Sequence, residues 1–332
     1  MTSFIDSKAT VAAEENNQAC LEASWQALLP SACDWCPRRC GVNRAAGEKG
    51  FCGADGTMRV ARAALHFWEE PPLSGEAGSG AVFFSGCPLR CCFCQNAVIA
   101  AEQVGKEISP GRLEGIFFEL RDQGALNINL VTPTHYAPLI AHVAAHARAQ
   151  GFDLPFVWNT SGYETVEALH AIAPVADVFL ADFKYAHSEL ALKFSRAVDY
   201  PAVALDALDA MVEITGEPQF DEYHGQLRMT RGVVVRHLLL PGHVPESCAA
   251  VELLHKRYGE KVLLSLMNQY TPVLDVSSVA ARKYPELLRA PSSKEYEQLL
   301  DFADLLGIED YFWQEGGAID ESFIPAFDFT GV

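Results

Sequence analysis

The sequence predicts an α/β protein, a partial or complete (βα)6-type barrel with a small Cys-rich metal-binding extension ahead of it. Three observations carry this expectation. From Gly80 onward, short apolar runs alternate with longer amphipathic segments, as they do where buried parallel strands are covered by helices. The composition, 49% hydrophobic and 20% charged over 332 residues, supports a large core and excludes a disordered chain. Four cysteines crowd into residues 33–52, a stretch broken by Pro and Gly with too little apolar sequence to fold without a metal.

Residues 16–29 have helical apolar spacing and lead into that cysteine stretch. Strands are expected at 81–85, 126–132, 154–159, 176–182, 232–240 and 261–267, with helices at 112–123, 137–150, 164–172, 202–214 and 245–258. The organisation that follows is a helical segment (1–30), the Cys-rich extension (31–75), the barrel (76–285), and a C-terminal helix with an aromatic tail packing on the barrel (286–332).

Net charge is −18, from 43 acidic and 25 basic residues, and such a surface repels a phosphate backbone, so no nucleic-acid partner is expected. Arg38, Arg39 and Arg44 form the only dense basic spot and read as solvated charges beside a metal loop. No stretch has the length and apolarity of a membrane span, and the acidic and basic residues of the first 18 positions do not form a signal peptide. A cytoplasmic protein is expected, in which ten cysteines mean metal or catalysis rather than disulfides.

Cys87, Cys91 and Cys94 stand at C-x3-C-x2-C spacing where the first strand opens into a loop. Three thiolates hold three irons of a [4Fe-4S] cubane, whereas an electron-transfer cluster is closed by four cysteines, so one iron stays open to a substrate or cofactor. Cys33, Cys36, Cys40 and Cys52 supply four ligands, enough for a closed site of either tetrahedral zinc or an iron–sulfur cluster, with the compact first half favouring iron–sulfur. Cys92 reads as a bystander, and Cys20 and Cys248 as small buried hydrophobes.

In such barrels the working residues gather at the C-terminal ends of the strands. Those ends carry Cys87, then Thr132, Thr134 and His135, then Asn159 and Ser161, then Asp182 and Lys184, then Pro241, Gly242 and His243, and last Asn268 to Tyr270. Asp182, Lys184 and His135 are the candidate catalytic groups. Mutual neutralisation is the plainer role for the Asp182 and Lys184 pair, and a hydrogen-bonded structural role the plainer one for His135 and His243.

The stretch Gly86-Cys87-Pro88-Leu89-Arg90-Cys91 resembles the signature of radical S-adenosylmethionine (SAM) enzymes. Together with Cys36-Pro37-Arg38-Arg39-Cys40, Glu69-Glu70-Pro71-Pro72-Leu73-Ser74-Gly75, Asn127 to Tyr136, Asn159 to Glu164, Asp182 to Tyr185 and Arg236 to Gly242, it is similar to homologues of pyruvate formate-lyase activating enzyme that carry an additional N-terminal Cys motif. The resemblance implies a cluster whose open iron chelates SAM and whose electron yields a 5′-deoxyadenosyl radical, with flavodoxin or ferredoxin as electron donor. It implies that Phe93 packs beside the adenine and that Pro241 and Gly242 line the adenine side. It places Asp182 and Lys184 on the ribose, the methionyl carboxylate or the substrate, and Arg236 on the SAM carboxylate. Thr132 and Thr134 stand where the family has a Gly-Gly-Glu-like turn, so the SAM amino group passes to one of them.

Three functions follow as expectations. The first is an activating enzyme that abstracts hydrogen from a glycine of a glycyl-radical protein. The second is a radical SAM enzyme acting on a small molecule or peptide, with the N-terminal metal as an auxiliary cluster. The third, a non-catalytic iron–sulfur sensor or scaffold, is weakest, because an apparent SAM-contact set accompanies the open cluster.

Overall fold

The computed structural model describes residues 21–313 and 324–332. Six strands form its parallel heart: β2 (Ser79–Phe84), β4 (Ile128–Val131), β5 (Phe156–Thr160), β6 (Val178–Asp182), β8 (Gln226–Leu238) and β9 (Leu263–Met267). They are flanked by the antiparallel β1 (Arg59–His66) and β3 (Lys106–Glu107) on one side and by the parallel β10 (Tyr311–Phe312) on the other. The sheet order β10-β9-β8-β6-β5-β4-β2-β1-β3 has two free ends, so the barrel is partial. β7 (Gln219–Tyr223) pairs only with the start of β8, and its exposed, charged sequence has no apolar alternation that would announce a strand.

Helices α1 (Pro110–Asp122), α2 (Ala137–Ala149), α3 (Val166–Ile172), α4 (Ser188–Ser195), α5 (Tyr200–Thr215), α6 (Val244–Tyr258) and α7 (Ser293–Leu305) connect or follow the strands. α1 buries Leu113, Ile116, Phe117 and Leu120, one stripe at helical spacing, and starts where Ser109 Oγ accepts the backbone N–H of Arg112 ahead of Pro110. α7 opens with a capping box between Ser292 and Glu295. The sequence-based elements of the parallel heart agree with these to within a few residues, except that β8 starts six residues earlier than expected because its first half belongs to the β7 hairpin.

Parallel register delivers strand ends to one face, and here it does so in line: Val131 pairs with Asn159, Asp182 with Arg236, and Arg236 with Ser265. The C-terminal residues 324–332 run along β1, where Phe329 N–H donates to Ala61 C=O at 3.1 Å and Ala63 N–H to Thr330 C=O at 2.9 Å. Residues 1–20, with Cys20 and the start of the expected first helix, and residues 314–323 of the aromatic tail lie outside the described residues. Among the described residues no helix is long and apolar enough to cross a membrane.

Candidate active site

β2 ends at Phe84 and the chain turns through Gly86, whose φ is +98°. A Cβ there would stand 2.9 Å from both Cys52 C=O and His135 Nε2, so only glycine lets the following loop leave the strand at this angle. The loop sets Cys87, Cys91 and Cys94 on one wall of a cavity of about 520 Å³. Leu89 N–H points at Cys87 Sγ (3.4 Å), and Ser195 Oγ–H donates to Cys91 Sγ (3.0 Å). Burial pushes the thiols of Cys87 up to about 11 and Cys94 up to about 12, and raises Cys91. Thiolates in such surroundings form against a bound cation, and three soft donors along one loop fit an iron–sulfur cluster. Among the described residues no three His, Cys, Asp or Glu side chains group tightly enough for a single metal ion. Cys92 does not line the cavity; its N–H donates to Phe194 C=O at 2.8 Å.

Another part of the lining is a charged lattice. Arg236 donates from Nε to Asp182 Oδ1 (3.0 Å), from Nη1 to Glu69 Oε2 (3.1 Å) and from Nη2 to Asn159 Oδ1 (2.7 Å). Lys184 Nζ reaches Asp182 Oδ2 at 2.6 Å, and Asn129 Nδ2 donates to Glu69 Oε1 at 2.8 Å. Burial works against the Asp182 carboxylate, yet Lys184 and Arg236 outweigh it and hold its pKa below the usual range. For Glu69 and Glu70 burial wins, and both are pushed up. Thr132, with φ +61°, and Ser161, whose buried Oγ has no hydrogen-bond partner, also line the cavity. So does Phe93, edge-on to Phe194 at 6.0 Å and tilted against Tyr270 at 6.1 Å.

Five residues expected at the strand-end site are not brought there. His135 lies behind the cluster loop, buried, its Nε2 against Ser85 C=O at 2.8 Å; burial pushes its pKa down to about 3, so it is a neutral brace beneath Gly86 and not a group facing the cavity. The reason is the 3-10 turn Thr134–Tyr136, which rolls the side chains away from the strand-end direction. Thr134 turns the same way and its Oγ–H donates to Glu164 Oε1 (2.6 Å). Pro241 and Gly242 stand outside the cavity, with Gly242 N–H donating to Glu295 Oε1 at 2.7 Å. His243 is also outside it, 3.6 Å from Glu286. Sequence reasoning missed Glu69 and Glu70 as site residues. They precede the first parallel strand, so strand-end logic passes over them; an acidic pair locked before two prolines was the available signal.

The N-terminal cysteine stretch reaches the cluster loop through the backbone of Cys52. Cys33, Cys36 and Cys52 are buried, Cys40 is exposed, and burial pushes Cys36 up to about 12. Cys40 Sγ and Cys52 Sγ stand 2.9 Å and 3.7 Å from where a Cβ on Gly50 would sit, which keeps that side of the knuckle open only for glycine. Cys87 N–H points at Cys52 C=O at 3.4 Å. The nearby arginines are not the solvated charges expected. Arg38 donates to the carbonyls of Pro88, Arg196 and Ser195, and Arg44 is 1% exposed, donating to Asp55 C=O and His135 C=O beneath the ring of Trp35. Only Arg39 stays at the surface, 3.7 Å from Glu167.

A model of the 4Fe-4S single cluster domain family matches residues 73–196. An uncharacterized protein of Methanocaldococcus jannaschii is 27% identical over 288 residues, which cover 83% of this chain and 75% of that one. Among solved structures, a radical SAM methyltransferase from Sphaerobacter thermophilus aligns with a TM-score of 0.49 at 15% identity, over 72% of this chain and 67% of that one. SuiB of Streptococcus suis, bound to S-adenosylmethionine, aligns at 0.44 and 14%, over 69% of this chain and 45% of its own. The stretch that is similar to a four-iron cluster domain therefore runs from Leu73 through Cys87, Cys91, Cys94, Asp182 and Lys184 to Arg196.

Proposed function

We propose that this chain is a radical SAM enzyme, with Cys87, Cys91 and Cys94 as cluster ligands and the facing cavity as the chamber for SAM and substrate. One observation carries the reading: three cysteines at cluster spacing share a cavity of about 520 Å³, large enough for a cofactor and a substrate group, with a wall of strand-end charges. The bound cluster would supply the electron that breaks a carbon–sulfur bond of SAM.

The chain's own residues bind and orient. Lys184 is a lattice cation whose charge is felt by Cys87, Cys91 and Cys94, and it suits the SAM carboxylate. Arg236, held by three partners, presents a fixed guanidinium, and Asp182 orients both cations. Asn159, Ser161 and Thr132 offer polar atoms, and Phe93 an apolar face for the adenine. Phe67, Trp68 and Trp313, all about half exposed, rim the mouth and leave it open to a large substrate.

Motif similarity favours a protein glycine as the hydrogen source, the activating-enzyme reading. The contact between Cys52 and the backbone of Cys87 favours the second reading, a small molecule or peptide substrate with an auxiliary iron–sulfur cluster, or zinc, on Cys33, Cys36, Cys40 and Cys52. Anaerobically reconstituted and reduced protein is expected to convert SAM to 5′-deoxyadenosine and methionine; no cleavage with a full iron load overturns the enzyme reading in favour of a sensor.

A further inference from the structure

The cavity holds one more carboxyl group than its cations can match. Apart from the cysteines and Tyr270, the ionisable side chains lining it are His66, Glu69, Glu70, Asp182, Lys184 and Arg236, among the described residues. His66 is neutral, because burial and the nearby Arg236 and Arg62 depress its pKa. Lys184 is committed to Asp182, and Arg236 to Asp182 and Glu69. Glu70 remains. It is 7% exposed; Ser265 hydrogen-bonds its carboxyl and Arg236 acts on it only through space, while its Oε2 has no hydrogen-bond partner.

The chain holds Glu70 in place. Two prolines follow it, and its carbonyl accepts the N–H groups of Leu73 (2.8 Å) and Ser74 (3.2 Å), which fixes its backbone at the cavity wall. Leaving a charge buried without a partner is strongly unfavourable, which is why such a carboxyl either keeps a proton or meets a cation. Burial does push the carboxyls of Glu69 and Glu70 above their usual range.

We propose that Glu70, with Glu69 beside it, is a substrate subsite for an ammonium or guanidinium group, so that the substrate is a basic compound or presents a basic side chain. This rests on the cavity being the active site. Two further features fit it. A net charge of −18 draws cations toward the protein. The exposed rings of Phe67, Trp68 and Trp313 at the mouth offer π faces that attract cations along the way in.

The test uses reconstituted holoprotein, with agmatine as a cationic probe and adipate as an anionic one of similar length, both titrated by calorimetry. Agmatine is expected to bind and adipate not. Glu70→Gln should weaken agmatine by roughly tenfold or more, and Glu70→Asp by less. Iron content equal to wild type establishes that each variant is folded. Equal binding of adipate, absence of agmatine binding, or unchanged agmatine affinity in Glu70→Gln overturns the proposal. So does an equal loss of SAM affinity in that variant, which would assign the contact to the SAM ammonium. Amine binding is read without turnover, so a holoprotein that fails to cleave SAM sinks the enzyme reading alone, whereas lost selectivity with cleavage intact sinks the subsite alone.

Discussion

Arg236 on β8 and Asp182 on β6 are register partners, joined from Nε to Oδ1 at 3.0 Å, and the same guanidinium also reaches Glu69 and Asn159. Arg236→Ala leaves the buried Glu69 without its cation and Asp182 with Lys184 alone, and should cost ~3–5 kcal/mol of stability. Denaturant unfolding measures this, and a loss under ~1 kcal/mol would show that the lattice is not structurally important. Arg236→Lys keeps the charge but not the fork, so SAM affinity should fall while the cluster is retained.

Replacing Cys87, Cys91 and Cys94 together by Ala should abolish 5′-deoxyadenosine formation and remove the SAM-perturbed electron paramagnetic resonance signal of the reduced cluster. Undiminished SAM cleavage in that variant would refute the ligand assignment.

The same variant reports on the N-terminal thiols. Stoichiometric iron and sulfide left in it would support an auxiliary cluster on Cys33, Cys36, Cys40 and Cys52. Zinc without sulfide would make the knuckle structural, and no metal at all would remove the site.

Arg44 joins that knuckle to the barrel, donating to two backbone carbonyls 80 residues apart in sequence, Asp55 and His135. Hydrogen bonds from a charged group contribute ~1.5–3 kcal/mol each, so Arg44→Ala should lower stability by about 3 kcal/mol or more. Limited proteolysis should then cut first within residues 31–58; unchanged stability would deny Arg44 this role.

Glu164 is buried, and burial pushes its pKa up to about 8 from an ordinary 4.5, despite the hydrogen bond from Thr134. The folded state therefore holds a proton that the unfolded state releases. The stabilisation is complete below pH 4.5 and is lost as pH rises through about 8. Glu164→Gln should flatten this part of the melting temperature against pH, and make the variant the more stable protein at pH 9. Parallel curves would contradict the assignment.

Much was legible in local sequence. Apolar runs separated by amphipathic stretches located six parallel strands and their helices, because burial on both faces and helical periodicity are properties of a few consecutive residues. The C-x3-C-x2-C spacing likewise named Cys87, Cys91 and Cys94, strand-end position named Asn159, Asp182 and Lys184, and the family resemblance named Arg236, all of which line one cavity. What the tertiary structure alone decided was direction and partnership. It turned His135 and Thr134 behind the loop through a 3-10 turn, buried Arg44, and carried Glu69 and Glu70, which lie before the first parallel strand, onto the wall formed by the ends of β6 and β8. These outcomes depend on which distant backbone reaches which side chain, and pairing across a sheet is set by packing between segments rather than by the residues within one.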